Sequence, residues 1–107
     1  MALTDLVQEF TGKWDVLLLQ ELARIQKPQV VRLGGGHLCF LMPLHGGRTL
    51  GTVYHKTWAD FTTLQKAGNR CQVTGVRAGA TVFDVLNVHL KPAGCVANQE
   101  MFDHSLD

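Results

Sequence analysis

The fold is decided by reading Trp14-Asp15-Val16-Leu17-Leu18-Leu19-Gln20-Glu21. An apolar run, Val16 to Leu19, leads straight into a polar pair, Gln20 and Glu21. A short continuous apolar run predicts a strand buried on both faces, although periodicity alone does not exclude a buried helical segment. The carboxylate at its end has two readings. Glutamate is mostly exposed in folded proteins, so Glu21 can simply mark where the strand meets water. A carboxylate fixed at the end of a rigid strand is also held as a metal ligand needs to be.

Toward the N-terminus, Leu3, Leu6, Val7 and Phe10 fall at i, i+3, i+4 and i+7. That spacing predicts one apolar face of a short helix, starting near Thr4 or Asp5 and ended by Gly12. Toward the C-terminus, Leu22-Ala23-Arg24-Ile25 reads as a helical turn before Pro28. Gln29 to Leu33 and His37 to Met42 read as two strands around Gly34-Gly35-Gly36, which suggests a hairpin. A loop around Gly46-Gly47 precedes a fourth strand, Leu50 to His55. Between Lys56 and Lys66 the signals conflict. Trp58, Phe61 and Leu64 have roughly helical spacing, while Thr57, Thr62 and Thr63 favour a strand or linker. After a turn at Ala67-Gly68-Asn69, Cys71 to Val76 alternates as a half-buried strand, and Arg77 to Ala80 turns the chain. Thr81 to Leu90 reads as a second strong strand with Phe83, Val85, Asn87 and His89 on one face. Pro92 and Gly94 end it, and Val96 to Phe102 predicts a helix.

The 107 residues fit one domain or less and are enough for a core. Hydrophobic residues make up 46% and charged residues 18%, which excludes a disordered segment. A net charge of +1 provides no global field to attract nucleic acid. The apolar runs fall far short of the ~20 residues that span a bilayer, so no membrane span is expected. Met1-Ala2-Leu3-Thr4-Asp5 lacks the features of a signal peptide. Cys39, Cys71 and Cys95 are odd in number and widely spaced, and read as reduced thiols. Together these features predict an intracellular protein, cytoplasmic or nuclear. No Cys-x-x-Cys or His-x-x-x-His pattern supports zinc.

Two motifs then meet a known family. Asp15-Val16-Leu17-Leu18-Leu19-Gln20-Glu21 is similar to the Asp-(apolar run)-Gln-Glu signature of the endonuclease/exonuclease/phosphatase superfamily, and Leu86-Asn87-Val88-His89-Leu90 to its Asn-x-His-Leu strand. Gly46-Gly47 with Gly51-Thr52-Val53 resembles the intervening Gly-rich loop and strand more weakly. The resemblance covers most of the chain and implies an α/β (α+β) fold. That fold would be part of a DNase I-like four-layer sandwich, with mixed, mostly antiparallel sheet and flanking helices. It also implies hydrolysis of a phosphate ester with Mg²⁺ or Mn²⁺. The substrate would be nucleic acid, a phosphorylated small molecule or a lipid head group. Glu21 would be the metal ligand, since Mg²⁺ takes one or two carboxylates plus water and phosphate oxygens. His89 would contact the scissile phosphate or act on the leaving group, and Asn87 would orient His89 or the phosphate.

Each of these residues also has a plain structural reading. A histidine at a strand end is commonly solvated, and asparagine commonly bonds local backbone. His37, His45, His55 and His104 read as surface or loop residues. Arg48, Lys56 and Lys91 either touch phosphate or are simply solvated. The chain departs from the family pattern in three places. Nothing before Leu3 supplies the family's first strand with its metal-site Asn. The Gly-Asp-x-Asn and Ser-Asp-His motifs are missing, and Asp103-His104 follows the wrong strand too closely to replace the latter. Residues 1–107 are therefore expected to be a partial domain, inactive alone. The competing expectation is a non-catalytic α/β interaction module, or a relic of such a domain, that self-associates through an uncovered sheet.

Overall fold

The computed structural model describes residues 2–10, 12–44, 47–68 and 70–89. The predicted helix at 96–102, Cys95, Lys91, His45 and the Asp103-His104 pair lie outside the described residues. Helix α1 spans Leu3–Gln8, and the strands are β1 Val16–Leu22, β2 Gln29–Arg32, β3 Leu38–Pro43, β4 Thr49–Tyr54, β5 Thr62–Gly68, β6 Cys71–Ala78 and β7 Thr81–Val88. One sheet has the order β1-β4-β3-β2 and the other β5-β6-β7. Every strand pairing among the described residues is antiparallel. The described residues are therefore sheet-rich and contain one short α-helix.

The predicted hairpin forms. Gln29 pairs with Leu41 and Arg32 with Leu38. Its turn needs glycine, because Gly35 and Gly36 take φ of 90° and 92°. The Gly36 N–H closes it by donating to the Leu33 carbonyl at 3.1 Å. Helix α1 packs Val7 onto the outer face of the first sheet, against Cys39 and Val53, with Leu17, Leu19 and Leu41 around them. Burial in this layer pushes the Cys39 thiol up to about 12, so it stays protonated. The helix starts at Leu3, where no side chain caps it. Thr4 instead accepts a hydrogen bond from the Gly34 N–H at 3.4 Å. The helix stops before Phe10, which is left exposed.

Between the sheets the contacts are largely polar. Thr52 of β4 donates to Gln72 of β6 at 2.7 Å, and the Tyr54 and Thr74 hydroxyls share a hydrogen bond at 2.5 Å. These side chains are buried and paired, so the layer meets the rule that buried polar groups need partners. Phe40 packs edge-on against Tyr54, with ring centroids 6.1 Å apart.

Three expectations need correction. β1 is not buried on both faces; it is the edge of its sheet, and Leu18 is 42% exposed. β7 is likewise an edge, and the strand buried along its whole length is β4. The expected turn at Leu22 to Ile25 is absent, because Leu22 still belongs to β1. The ambiguous stretch after Lys56 divides into a 3₁₀ turn, Ala59–Phe61, and strand β5. Its Thr-rich part became strand, as β-branched residues favour.

Candidate functional site

Near its end β1 bulges. Leu19 pairs with Gly51 and Leu22 with Thr49, so Gln20 and Glu21 together oppose a single residue. A bulge re-aims side chains where a strand leaves its ladder. Glu21 takes the left-handed backbone, φ 58°, a conformation that disfavours a non-glycine residue by roughly 1 kcal/mol or more. Gly51 makes room for the bulged strand. A Cβ there would lie 2.7 Å from the Leu22 Cδ1. The Gly51-Thr52-Val53 stretch thus seats the strand that carries Glu21.

The antiparallel β6–β7 hairpin brings Asn87 under this bulge. Asn87 is wholly buried. Its amide nitrogen donates to the Gly51 carbonyl at 3.0 Å and lies 3.3 Å from both the Leu19 carbonyl and the Thr52 hydroxyl. Its side-chain oxygen accepts from Gln20 Nε2 at 2.8 Å. The residue fastens the second sheet to the end of the first, a role with more contacts than orienting His89 alone would need.

His89 directly follows β7. Its Nε2 lies 3.5 Å from Glu21 Oε1, with the carboxylate 72% exposed and the imidazole 29% exposed. The structure thus brings Glu21, Asn87 and His89 to one end of the facing sheets. An exposed pair of this kind adds little to stability. Arg70, which the sequence reading passed over, faces His89. Its Nε donates to the His89 carbonyl at 2.8 Å and its Nη2 to His89 Nδ1 at 2.7 Å. The His89 N–H returns a bond to the Arg70 carbonyl at 3.0 Å. The strand register accounts for the contact. Cys71 pairs with Val88, so extending that register by one step sets Arg70 opposite His89.

Among the described residues no group of three or more His, Cys, Asp or Glu side chains could hold a metal ion. Glu21 offers a single accessible carboxylate. That donor set fits one corner of a Mg²⁺ or Mn²⁺ shell completed by water and phosphate oxygens, and no more. Lys56 is not part of this end, since it follows the far end of β4.

At that far end His37 and His55, which read from the sequence as surface or loop residues, meet each other. The rings of Trp14, His37 and His55 have centroids 4.8 to 5.0 Å from one another. His37 Nδ1 accepts from the Lys56 N–H at 3.0 Å, and His55 Nδ1 accepts from the Thr57 N–H at 3.3 Å. Burial, then the neighbouring His55, then Lys56 hold the His37 imidazole below its ordinary value.

Comparing the chain with family models, curated proteins and solved structures finds no match. The reading of the site therefore depends on its geometry and on the two motifs.

Proposed function

We propose that this chain carries part of a divalent-metal-assisted phosphate-ester hydrolase site of the DNase I-like kind. The observation that carries the reading is the convergence of the two motifs. Glu21 and His89 are 68 positions apart in sequence, yet their side chains come within 3.5 Å. The strained backbone of Glu21 adds support. A left-handed non-glycine residue at a bulge is the kind of local cost that collects at functional sites. In this reading Glu21 would hold Mg²⁺ or Mn²⁺ together with water and substrate oxygens. When bound, the cation polarises a phosphate oxygen. His89 presents Nε2 beside the same point and would bind a second phosphate oxygen. Asn87 and Gln20 hold the bulge in place. No aspartate of the described residues stands where it would align an attacking water. Hydrolysis by residues 1–107 alone is therefore expected to stay near background, since positioned groups act as a unit.

The test is Mn²⁺ broadening of amide signals in the chain as it stands. Broadening centred on Gln20, Glu21 and His89, and lost in Glu21→Gln, is the expected result. Broadening elsewhere, or unchanged in Glu21→Gln, would overturn the reading. Glu21→Gly should also raise stability, by about 1 kcal/mol, as strain is relieved while the ligand is lost.

A second reading, an α/β module whose unfinished sheet pairs with another chain, is favoured by one observation. β1 and β7 are both edge strands, and they carry exposed Leu18 and Phe83. Edges of this kind associate unless covered.

A further inference from the structure

We propose that Arg70 is a positioning residue of this site. It fixes the His89 ring with Nε2–H turned toward Glu21, so that His89 donates a hydrogen bond to a bound phosphate and does not take a proton from water. The phosphate part of this proposal rests on the reading above; the ring orientation rests on contacts alone.

A guanidinium carries donors and no acceptor. Arg70 Nη2 lies 2.7 Å from His89 Nδ1, so Nδ1 must be the acceptor. A neutral imidazole has one N–H, and with Nδ1 occupied that hydrogen sits on Nε2. Nε2 is also the atom that faces the Glu21 carboxylate, at 3.5 Å. A ring whose Nε2 already carries a hydrogen offers no lone pair there to accept a proton from water. It offers a donor instead, which suits a phosphate oxygen.

The grip on His89 is threefold. The Arg70 side chain reaches both the His89 carbonyl and its ring, while the His89 N–H bonds the Arg70 carbonyl. Two of these bonds use different nitrogens of one planar fork, which a lysine ammonium cannot reproduce. Arg70 pays for this position in backbone geometry, with φ 71°, where glycine would sit more easily. Glycine would lack the side chain that makes the contact. Arg70 and Glu21 also bracket the ring with opposite charges, and that polarity strengthens Nε2–H as a donor.

The test is ¹⁵N spectroscopy of the histidine rings at about pH 8, where free imidazole is neutral. The His89 ring is assigned by comparison with His89→Gln. The expected result is a bare, hydrogen-bonded Nδ1 and a protonated Nε2 in the wild-type chain, with a protected Arg70 Nη2 proton coupled to the ring. In Arg70→Met and Arg70→Lys, the ring signals should move to those of a ring exchanging between tautomers. Affinity for inorganic phosphate should then fall roughly five- to tenfold, the loss of one oriented hydrogen bond. The wild-type spectrum decides the ring state even where a variant does not fold. Protonated Nδ1 in the wild type, or ring signals unchanged in folded Arg70→Met, would overturn the positioning role. A locked ring in a chain that binds no phosphate would leave that role intact and defeat the phosphate reading instead.

Discussion

Strand β4 is buried along its whole length, yet its two faces are held in different ways. Outward, Val53 packs with Val7 and Cys39 in a layer of apolar side chains under α1. Inward, Thr52 and Tyr54 are hydrogen-bonded to Gln72 and Thr74, and Thr52 also meets Asn87. The outward contacts are non-directional, so neighbours can shift and repack at modest cost. The inward contacts require particular partners, and a stranded buried donor or acceptor is costly. The polar layer therefore sets where one sheet sits on the other. That placement is what brings His89 of the second sheet to Glu21 of the first.

The largest effect should come from the polar side. Asn87→Leu keeps roughly the shape but strands the groups that Asn87 now serves. At about 1–3 kcal/mol for each stranded buried group, the loss should be on the order of 3 kcal/mol or more. Urea unfolding measures it. The Gln20–Glu21 bulge loses its anchor at the same time, so Mn²⁺ broadening at Glu21 should vanish even where the variant remains folded. Val53→Ala comes next, at about 2 kcal/mol, from two lost methyl groups and the cavity they leave. It should leave the Glu21–His89 geometry untouched. A Val53→Ala cost greater than that of Asn87→Leu would break the comparison, because the polar layer would then add specificity without holding the sheets.

This division also explains how much of the fold could be read from the chain. The helix, the Gly-turn hairpin and most strand positions were legible, because they follow from side-chain spacing and turn chemistry. Strand rank was not. Val16 to Leu19 and Val85 to Val88 look like core strands, yet β1 and β7 are edges. The interior strands are β3, β4 and β6, and the last two are written Thr-Leu-Gly-Thr-Val-Tyr and Cys-Gln-Val-Thr-Gly-Val-Arg-Ala. Thr52, Gln72 and Thr74 look half-exposed when each strand is read by itself. They are buried because they find partners across the two sheets, and cross-sheet pairing leaves no periodic trace in one strand. The same limit applied to the site. Glu21 and His89 stood out through their motifs, while Arg70 and Gln72 act through long-range partners. His37 and His55 meet only because the end of β4 lies beside the β2–β3 turn.

A smaller effect is expected at the rim of the apolar layer, where Trp14 packs with His37 and His55. The folded state holds His37 below its ordinary value, through burial first, then His55 and Lys56. The unfolded chain therefore takes up a proton at His37 at a higher pH than the folded protein does. Stability from this group is complete above about pH 6.5, the unfolded value, and is lost as the pH falls toward the lowered folded value. Unfolding curves at pH 7.5 and 5.5 should separate more for the wild type than for His37→Gln. Equal separations would show that the cluster does not feel protonation.

The smallest effect has the opposite sign. Thr49 is the exception within the apolar layer. Its side chain joins Leu3, Leu6, Leu22 and Leu41 around a cavity of about 160 Å³. Among the described residues, its Oγ1 is the buried side-chain oxygen without a hydrogen-bond partner. Everywhere else in β4 a buried hydroxyl has been matched across the sheets. Thr49→Val keeps the branched shape that suits a strand and replaces the orphaned hydroxyl with a methyl group. An unsatisfied buried hydroxyl destabilises, so its removal should stabilise the protein by on the order of 0.5–1 kcal/mol. Thr52→Val, the same change on the inner face, should destabilise, because there Gln72 and Asn87 lose a partner. Opposite signs for one chemical substitution, three residues apart on one strand, would be the sharpest demonstration that the two faces obey different rules. A loss of stability in Thr49→Val would mean instead that water in the cavity bonds the hydroxyl, and that the apolar layer has a wet, polar corner of its own.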